Sequence, residues 1–355
     1  MGRVYLALSP GGRQVAVKVV RPELADDPGF RQRFAREVAA ARLVSGVFTA
    51  PVLDADPLAA PPWLVTGYIP GPSLDKAVEQ FGPLPVPSCE LLAAGLAEAL
   101  AAIHAAGLVH RDLKPSNVLL AADGPRVIDF GIVRAVHDSG LTRAGALIGT
   151  PAFMSPEQVQ GLDVGPAGDM FALGAVVAYA ATGRRPFGED SVSVILYRVV
   201  NEEPDLSSVP GQLLPLVQAC LTKDPQSRPS PADLLRGLQQ AVGLLATGTD
   251  WLPQPLGASV GQRIPTSVPQ PRAAETQVPK KRRKLPIFGG VAALLFGGIV
   301  AVSIAANQGD DGDGTALCGG TNENFASGGL QPWKLTPGSF LASEEISGGK
   351  VKLLV

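Results

Sequence analysis

Two short runs constrain this chain more than anything else in it: HRDLKPSNVLL, residues His110–Leu120, and VIDFGIVRA, residues Val127–Ala135. A lone HRD or a lone DFG would mean little. Together, in this order and with Asp112 and Asp129 17 residues apart, they are a specific signal. The region that carries them, residues 1 to about 246, alternates strand-like and helix-like stretches with short turns, which is the texture of a globular α+β domain. A content of 46% apolar against 17% charged residues is enough to build its core, and 355 residues accommodate two average domains or one large two-lobed one.

The two runs resemble the catalytic loop and the metal-binding loop of eukaryotic-like (Hanks-type) protein kinases. The resemblance implies a two-lobed fold, a small β-rich lobe and a large helical lobe, and transfer of the γ-phosphate of ATP to a hydroxyl. Phosphoryl transfer needs little covalent help, so such a site must hold phosphate, acceptor and metal charge in line. Asp112 is then placed to accept or orient the acceptor's proton. Lys114 sits near the transferring phosphate and marks serine/threonine rather than tyrosine specificity. Asn117 and Asp129 offer hard oxygens suited to Mg2+, with Mn2+ as the alternative ion.

Upstream, VAVK puts Lys18 at the end of a strand-like alternation, after a turn at Ser9–Gly12. The segment DPGFRQRFAREVAAARLV reads as a helix with Asp27 as its cap and Pro28 in its first turn. Phe30, Phe34, Glu37, Ala41 and Val44 recur at intervals of three or four, which places Glu37 on the apolar stripe. A carboxylate there needs a partner, and Lys18 is the natural one. The pair looks like the strand-to-helix ion pair that orders phosphate contacts in kinases. By the same resemblance Ala16 belongs to the nucleotide pocket. WLVTGYIPGPSL resembles the hinge between the lobes, with Thr66 in the gatekeeper place and backbone groups of Gly67 and Ile69 set to bond adenine.

Downstream, GTPAFMSPEQ resembles the substrate-facing loop, with Ser155 where the family usually has alanine. The resemblance implies that Thr150 bonds near Asp112, that Glu157 pairs with Arg228 of DPQSRPS, and that Asp169 of AGDMFALG braces the catalytic loop. Small-molecule phosphotransferases share an HxD loop but lack this set, which favours a protein substrate. Arg111 implies a basic pocket for a phosphate on the activation segment, Asp129–Glu157, with Thr142 the expected phosphosite and Ser139 the second choice.

In the family the phosphate loop reads GxGxxGxV. Gly2 and Val4 match its end, with Met1 at the variable position before them, and the first strand and two glycines are missing. The small lobe is therefore expected to lack its first strand and to expose the edge of the Val4–Ala7 strand. Two explanations stand: a start assigned at an internal methionine, favoured because every other catalytic position is intact, or a real loss of the loop. The second would leave a signalling scaffold that keeps the fold and binds ATP poorly.

From Thr247 the texture changes to a proline-rich stretch, residues 247–284, expected to be a disordered linker. It ends in Lys280, Lys281, Arg282, Arg283 and Lys284. Leu285–Ala306 follows without a single charge and, as a helix, reaches about 33 Å, matching a bilayer core of about 30 Å. The basic cluster on one side and GDDGDG on the other predict a single-pass plasma-membrane protein, its kinase region cytoplasmic and residues 307–355 outside. A net charge of -2 argues against a general nucleic-acid binder. Cys89, Cys220 and Cys318 form no CxxC pair and read as idle thiols.

This order of kinase, linker, span and outer tail resembles bacterial receptor-like serine/threonine kinases, particularly actinobacterial ones. The expectation is a membrane-anchored, non-specific serine/threonine protein kinase that phosphorylates cytoplasmic proteins and itself. A homodimer, and phosphothreonine-binding partners reading Thr266 or Thr276, are left open.

Overall fold

The computed structural model describes residues 2–25, 27–129, 151–238, 251–262 and 334–343. The small lobe holds β1 (Gly2–Leu8), β2 (Gln14–Val20), α1 (Pro22–Ala25), α2 (Pro28–Ala41), β3 (Val52–Asp56) and β4 (Trp63–Gly67). The large lobe begins with α3 (Leu74–Phe81), α4 (Val86–Ala105) and the hairpin β5 (Val118–Ala121) and β6 (Gly124–Val127). It continues through α5 (Pro156–Val159), α6 (Pro166–Thr182), α7 (Val192–Asn201), α8 (Leu214–Cys220), α9 (Pro231–Gly237) and α10 (Leu256–Gln262). A last strand, β7 (Lys334–Ser343), joins the small-lobe sheet.

That sheet is antiparallel, in the order β3–β4–β2–β1–β7. Strand β2 reads QVAVKVV, and its alternation decides both faces. Val15, Val17 and Val19 are buried in one small core with Ala7, Trp63 and Val65. Ala16 and Lys18 therefore project from the opposite face, since successive side chains alternate. The register adds their neighbours: Val4 lies opposite Lys18 and Thr66 opposite Ala16. Alternation and register together gather four residues of the expected nucleotide pocket on one side of the sheet.

Helix α2 starts at Asp27, whose carboxylate accepts the N–H of Gly29 at 2.8 Å, with proline in the first turn. Phe30, Phe34, Val38 and Ala41 are buried along its inner stripe, the two phenylalanine rings stacked. In the large lobe, α4 is the one helix among the described residues long and apolar enough to cross a membrane. Its apolar side chains lie in the core: Leu92, Leu96, Leu100 and Ile103 are wholly buried, in one cluster with Leu173, Val176 and Val177 of α6. Helix α6 stops at Gly183, whose φ of 70° is the left-handed cap that glycine adopts without Cβ strain.

Two expectations are corrected. With β7 docked the Val4–Ala7 edge is covered, β7 pairing with β1 from Arg3↔Ser343 to Leu8↔Lys334 with two register shifts. The folded region also runs past residue 246. Trp251, Leu252, Leu256 and Val260 are buried, and the Trp251 indole donates to the carbonyl of Ala121 at 2.9 Å. An aromatic side chain with both its surface and its polar atom satisfied stays docked, so residues 251–262 belong to the fold rather than to the expected linker.

Strand β7 also falls within the tail expected outside the membrane. A strand bonded to β1 lies on the kinase's side of a bilayer, so one molecule cannot satisfy both placements. The basic cluster 280–284, the apolar run 285–306, Thr266, Thr276 and Cys318 lie outside the described residues.

Candidate active site

The loop between α4 and β5 holds its shape against a local cost. Arg111 has φ 61°, a left-handed conformation that costs a residue with a Cβ roughly 1–2 kcal/mol. Asp169, in the first turn of α6, holds it there. Its two carboxylate oxygens accept the N–H groups of Arg111 and His110, each at 2.8 Å. Hydrogen bonds to a charged acceptor contribute about 1.5–3 kcal/mol apiece, so two of them outweigh the strain. A third donor completes the cluster: His104 Nε2, in the last turn of α4, lies 2.8 Å from the same carboxylate. Asp169 was assigned from sequence to bracing this loop; His104 was missed.

His110 is wholly buried, and its two ring nitrogens fix its tautomer. Nδ1 accepts the N–H of Asp112 at 3.2 Å, which leaves Nε2 to donate to the carbonyl of Ile128 at 3.2 Å. Burial pushes its pKa down and outweighs the carboxylates of Asp169 and Asp112, which pull it up. The ring is neutral and joins the two motif loops.

Asp112 is gripped by its own loop. Asn117 Nδ2 donates to its carbonyl at 2.8 Å and to its carboxylate at 3.2 Å, while Lys114 Nζ stands 3.3 Å from the same carboxylate. The hairpin then carries the second motif alongside: Val118 pairs with Val127, and Ile128 N–H donates to the carbonyl of Asn117 at 3.0 Å. Asp129 follows directly after the residue bonded to Asn117. Asp129 also has a left-handed φ of 58°.

Lys18 Nζ lies 3.0 Å from Asp129 Oδ2. Desolvation pushes the Asp129 carboxyl up, but 39% of its side chain stays accessible, and the Lys18 ammonium outweighs that cost and holds it below the usual range. The expected partnership of Lys18 with Glu37 is corrected, since the ammonium is taken by Asp129. Glu37 is half-buried on α2 and does not form that pair.

The substrate-facing loop is anchored from below. Arg228 and Glu157 form a buried bidentate pair at 2.7 and 2.9 Å, and the guanidinium also donates to the carbonyls of Thr222, Ala167 and Lys223. Burial raises the Glu157 carboxyl, and its bonds to Arg228 more than reverse this. The departure at Ser155 has a physical reason: with Gln158 it forms a capping box around α5, and its side chain is fully buried. Gln158, also missed from sequence, donates to the carbonyl of Arg111 at 2.7 Å. The S-P-E-Q spacing was the available signal. A small cavity between these parts is lined by Asp112, Lys114, Phe153, Met154, Gln158 and the buried Asp169.

Of the remaining assigned residues, Gly2 is buried in β1, where a Cβ would strike the carbonyl of Val19. Its N-terminal strand packing requires glycine. Gly67 ends β4 with its N–H donated to Pro51, and Ile69 follows two residues on. Thr142, Ser139 and Thr150 lie outside the described residues.

Comparison with known proteins agrees with this fold. The protein kinase domain family matches residues 1–238. The chain is 55% identical over 277 residues to the probable serine/threonine-protein kinase PkwA of Thermomonospora curvata, covering 77% of this chain and 37% of the relative. It is 46% identical over 338 residues to the serine/threonine-protein kinase AfsK of Streptomyces griseus, covering 88% and 42%. The chain thus spans well under half the length of these curated relatives. Among solved structures, the PknI kinase domain of Mycobacterium tuberculosis superposes with a TM-score of 0.54 at 27% identity, over 68% of this chain and 91% of that one. With its two lobes, its paired loops and a family match over most of its length, the chain belongs to the protein kinase family.

Proposed function

We propose that this chain transfers the γ-phosphate of ATP to serine and threonine hydroxyls of proteins, itself included. The observation that carries this is the meeting of the two loops: Lys18 at 3.0 Å from Asp129 on one side, Lys114 and Asn117 both engaged with Asp112 on the other. Asp112 orients the acceptor hydroxyl and takes its proton, and Lys114 faces the transferring phosphate. Lys18 contacts the α- and β-phosphates. Val4, Ala16 and Thr66 share the face of Lys18 and receive the nucleotide. Because the N–H of Gly67 is donated to Pro51, the contribution of Gly67 to adenine falls to its carbonyl, with the N–H of Ile69 beside it.

The donor set suits a hard divalent cation. Asn117 gives its amide hydrogens to Asp112, which turns its amide oxygen away, and Asp129, directly after the Ile128 that bonds Asn117, adds a carboxylate. Two such oxygens, with phosphates and water completing the shell, fit Mg2+, with Mn2+ as the alternative. Bound there, the ion neutralises charge on the phosphates.

The buried Glu157–Arg228 anchor beneath the substrate-facing loop supports a protein acceptor. The relatives named above as serine/threonine-protein kinases point the same way. Residues 285–306 anchor the protein in the plasma membrane with the kinase lobes cytoplasmic, and Thr142 receives the activating phosphate near Arg111. Homodimers and phosphothreonine-reading domains are the partners this organisation suits. Radiolabelled ATP and Mg2+ added to the full chain test the reading. Label should appear as phosphoserine and phosphothreonine, with Thr142 occupied. Binding of nucleotide without any transfer would contradict it and leave a signalling scaffold.

A further inference from the structure

The peptide unit between Arg111 and Asp112 is held at both ends. Its N–H donates to His110 Nδ1 at 3.2 Å, and its carbonyl accepts from Gln158 Nε2 at 2.7 Å. Gln158 stands 47 residues away in α5. Its other amide atom, Oε1, accepts the backbone N–H of Ser155 at 3.0 Å and closes the cap of that helix. One side chain therefore joins the end of the substrate-facing loop to the residue immediately before Asp112.

We infer that Gln158 is a positioning residue for phosphoryl transfer, its Nε2–H setting the plane of the Arg111–Asp112 peptide and through it the place of the Asp112 carboxylate. Asp169 grips the N–H of Arg111 and so fixes the peptide before that residue. It does not fix the rotation after it. That rotation, ψ of Arg111, is held through the next peptide by Gln158 and His110, beside the grip of Asn117 and Lys114 on Asp112 itself. Because Arg111 sits at φ 61°, the local backbone preference does not by itself restore the arrangement once a bond is lost.

The two roles of Gln158 reside on different atoms, which makes them separable. Gln158→Glu keeps an oxygen to accept from Ser155 but sets a carboxylate oxygen against the Arg111 carbonyl. Gln158→Met removes both bonds. The inference rests on Asp112 meeting the acceptor hydroxyl, so Asp112→Asn is measured beside them in the full chain. Near neutral pH, Gln158→Glu should lower kcat by at least about tenfold, a misplacement effect, with KM for ATP and Tm little changed. Its deficit should shrink as pH falls and the glutamate protonates, since a neutral carboxyl donates an O–H to the carbonyl. Gln158→Met should be slow at every pH.

Wild-type kcat in Gln158→Glu, or a deficit equal at all pH, overturns the inference. If Asp112→Asn is inactive in that same experiment, only the role of Gln158 has failed. Wild-type turnover in Asp112→Asn overturns the site assignment and this inference with it.

Discussion

His110 never reaches the place where phosphate would transfer, yet it shapes the residue that does. Its neutral ring accepts from Asp112 and donates to Ile128, and a proton on Nδ1 would break the first of these bonds. The pH dependence follows in sign. Burial lowers the folded-state pKa below the ordinary 6.5, while the unfolded chain takes up its proton near 6.5. Between those values the unfolded state binds more protons, so stability is full above pH 6.5 and is lost as pH falls toward the folded value. Urea denaturation from neutral to mildly acidic pH should show this loss in the wild type and a flatter profile in His110→Gln. Equal slopes would contradict the buried neutral ring.

Residues contiguous with the motifs were legible because their chemistry is written locally: Asp112, Lys114 and Asn117 lie within six positions. His104 and Gln158 were not, since a bond to a carboxylate or carbonyl far along the chain leaves no periodic trace. Lys18 was placed on the correct side of its strand by alternation. Its partner was misjudged because the choice between Asp129 and Glu37 depends on three separate segments meeting.

At the scale of elements, the segment around α10 shows how composition can hide a folded piece. Leu252, Leu256 and Val260 recur every four residues, a helical stripe, but proline and glycine around them read as linker. What fixes the segment lies far off in sequence. Trp251 donates to Ala121, and the Ser88 hydroxyl donates to the carbonyl of Trp251 at 2.6 Å, partners 130 and 163 residues away. Truncating such a buried aromatic costs about 3–5 kcal/mol. Trp251→Ala should lower unfolding stability by that order, and a chain ended after residue 246 should be less stable than one ended after residue 262. Equal urea midpoints for the two truncations would contradict the docking. The same scale explains the capping box at Ser155: S-P-E-Q is four residues long and readable, and only its link to Arg111 required the fold.

For the whole molecule, two placements of the tail compete. An uncharged run of 22 residues after KKRRK is long enough to span a bilayer, whereas β7 carries Pro337 and two register shifts, which weaken a ladder. The anchored form is therefore expected to dominate in cells. Alkaline phosphatase fused after Val355, active only outside the bacterial inner membrane, should be active. An inactive fusion with the protein intact would put the tail on the kinase side and favour the β1–β7 pairing.

The most direct measurement is steady-state phosphotransfer and ATP affinity of the full chain beside Asp112→Asn. A positioned acid–base group contributes about 10²–10⁴-fold, so transfer should fall by at least about a hundredfold while ATP affinity stays within about twofold. Turnover near that of the wild type in Asp112→Asn would contradict the account.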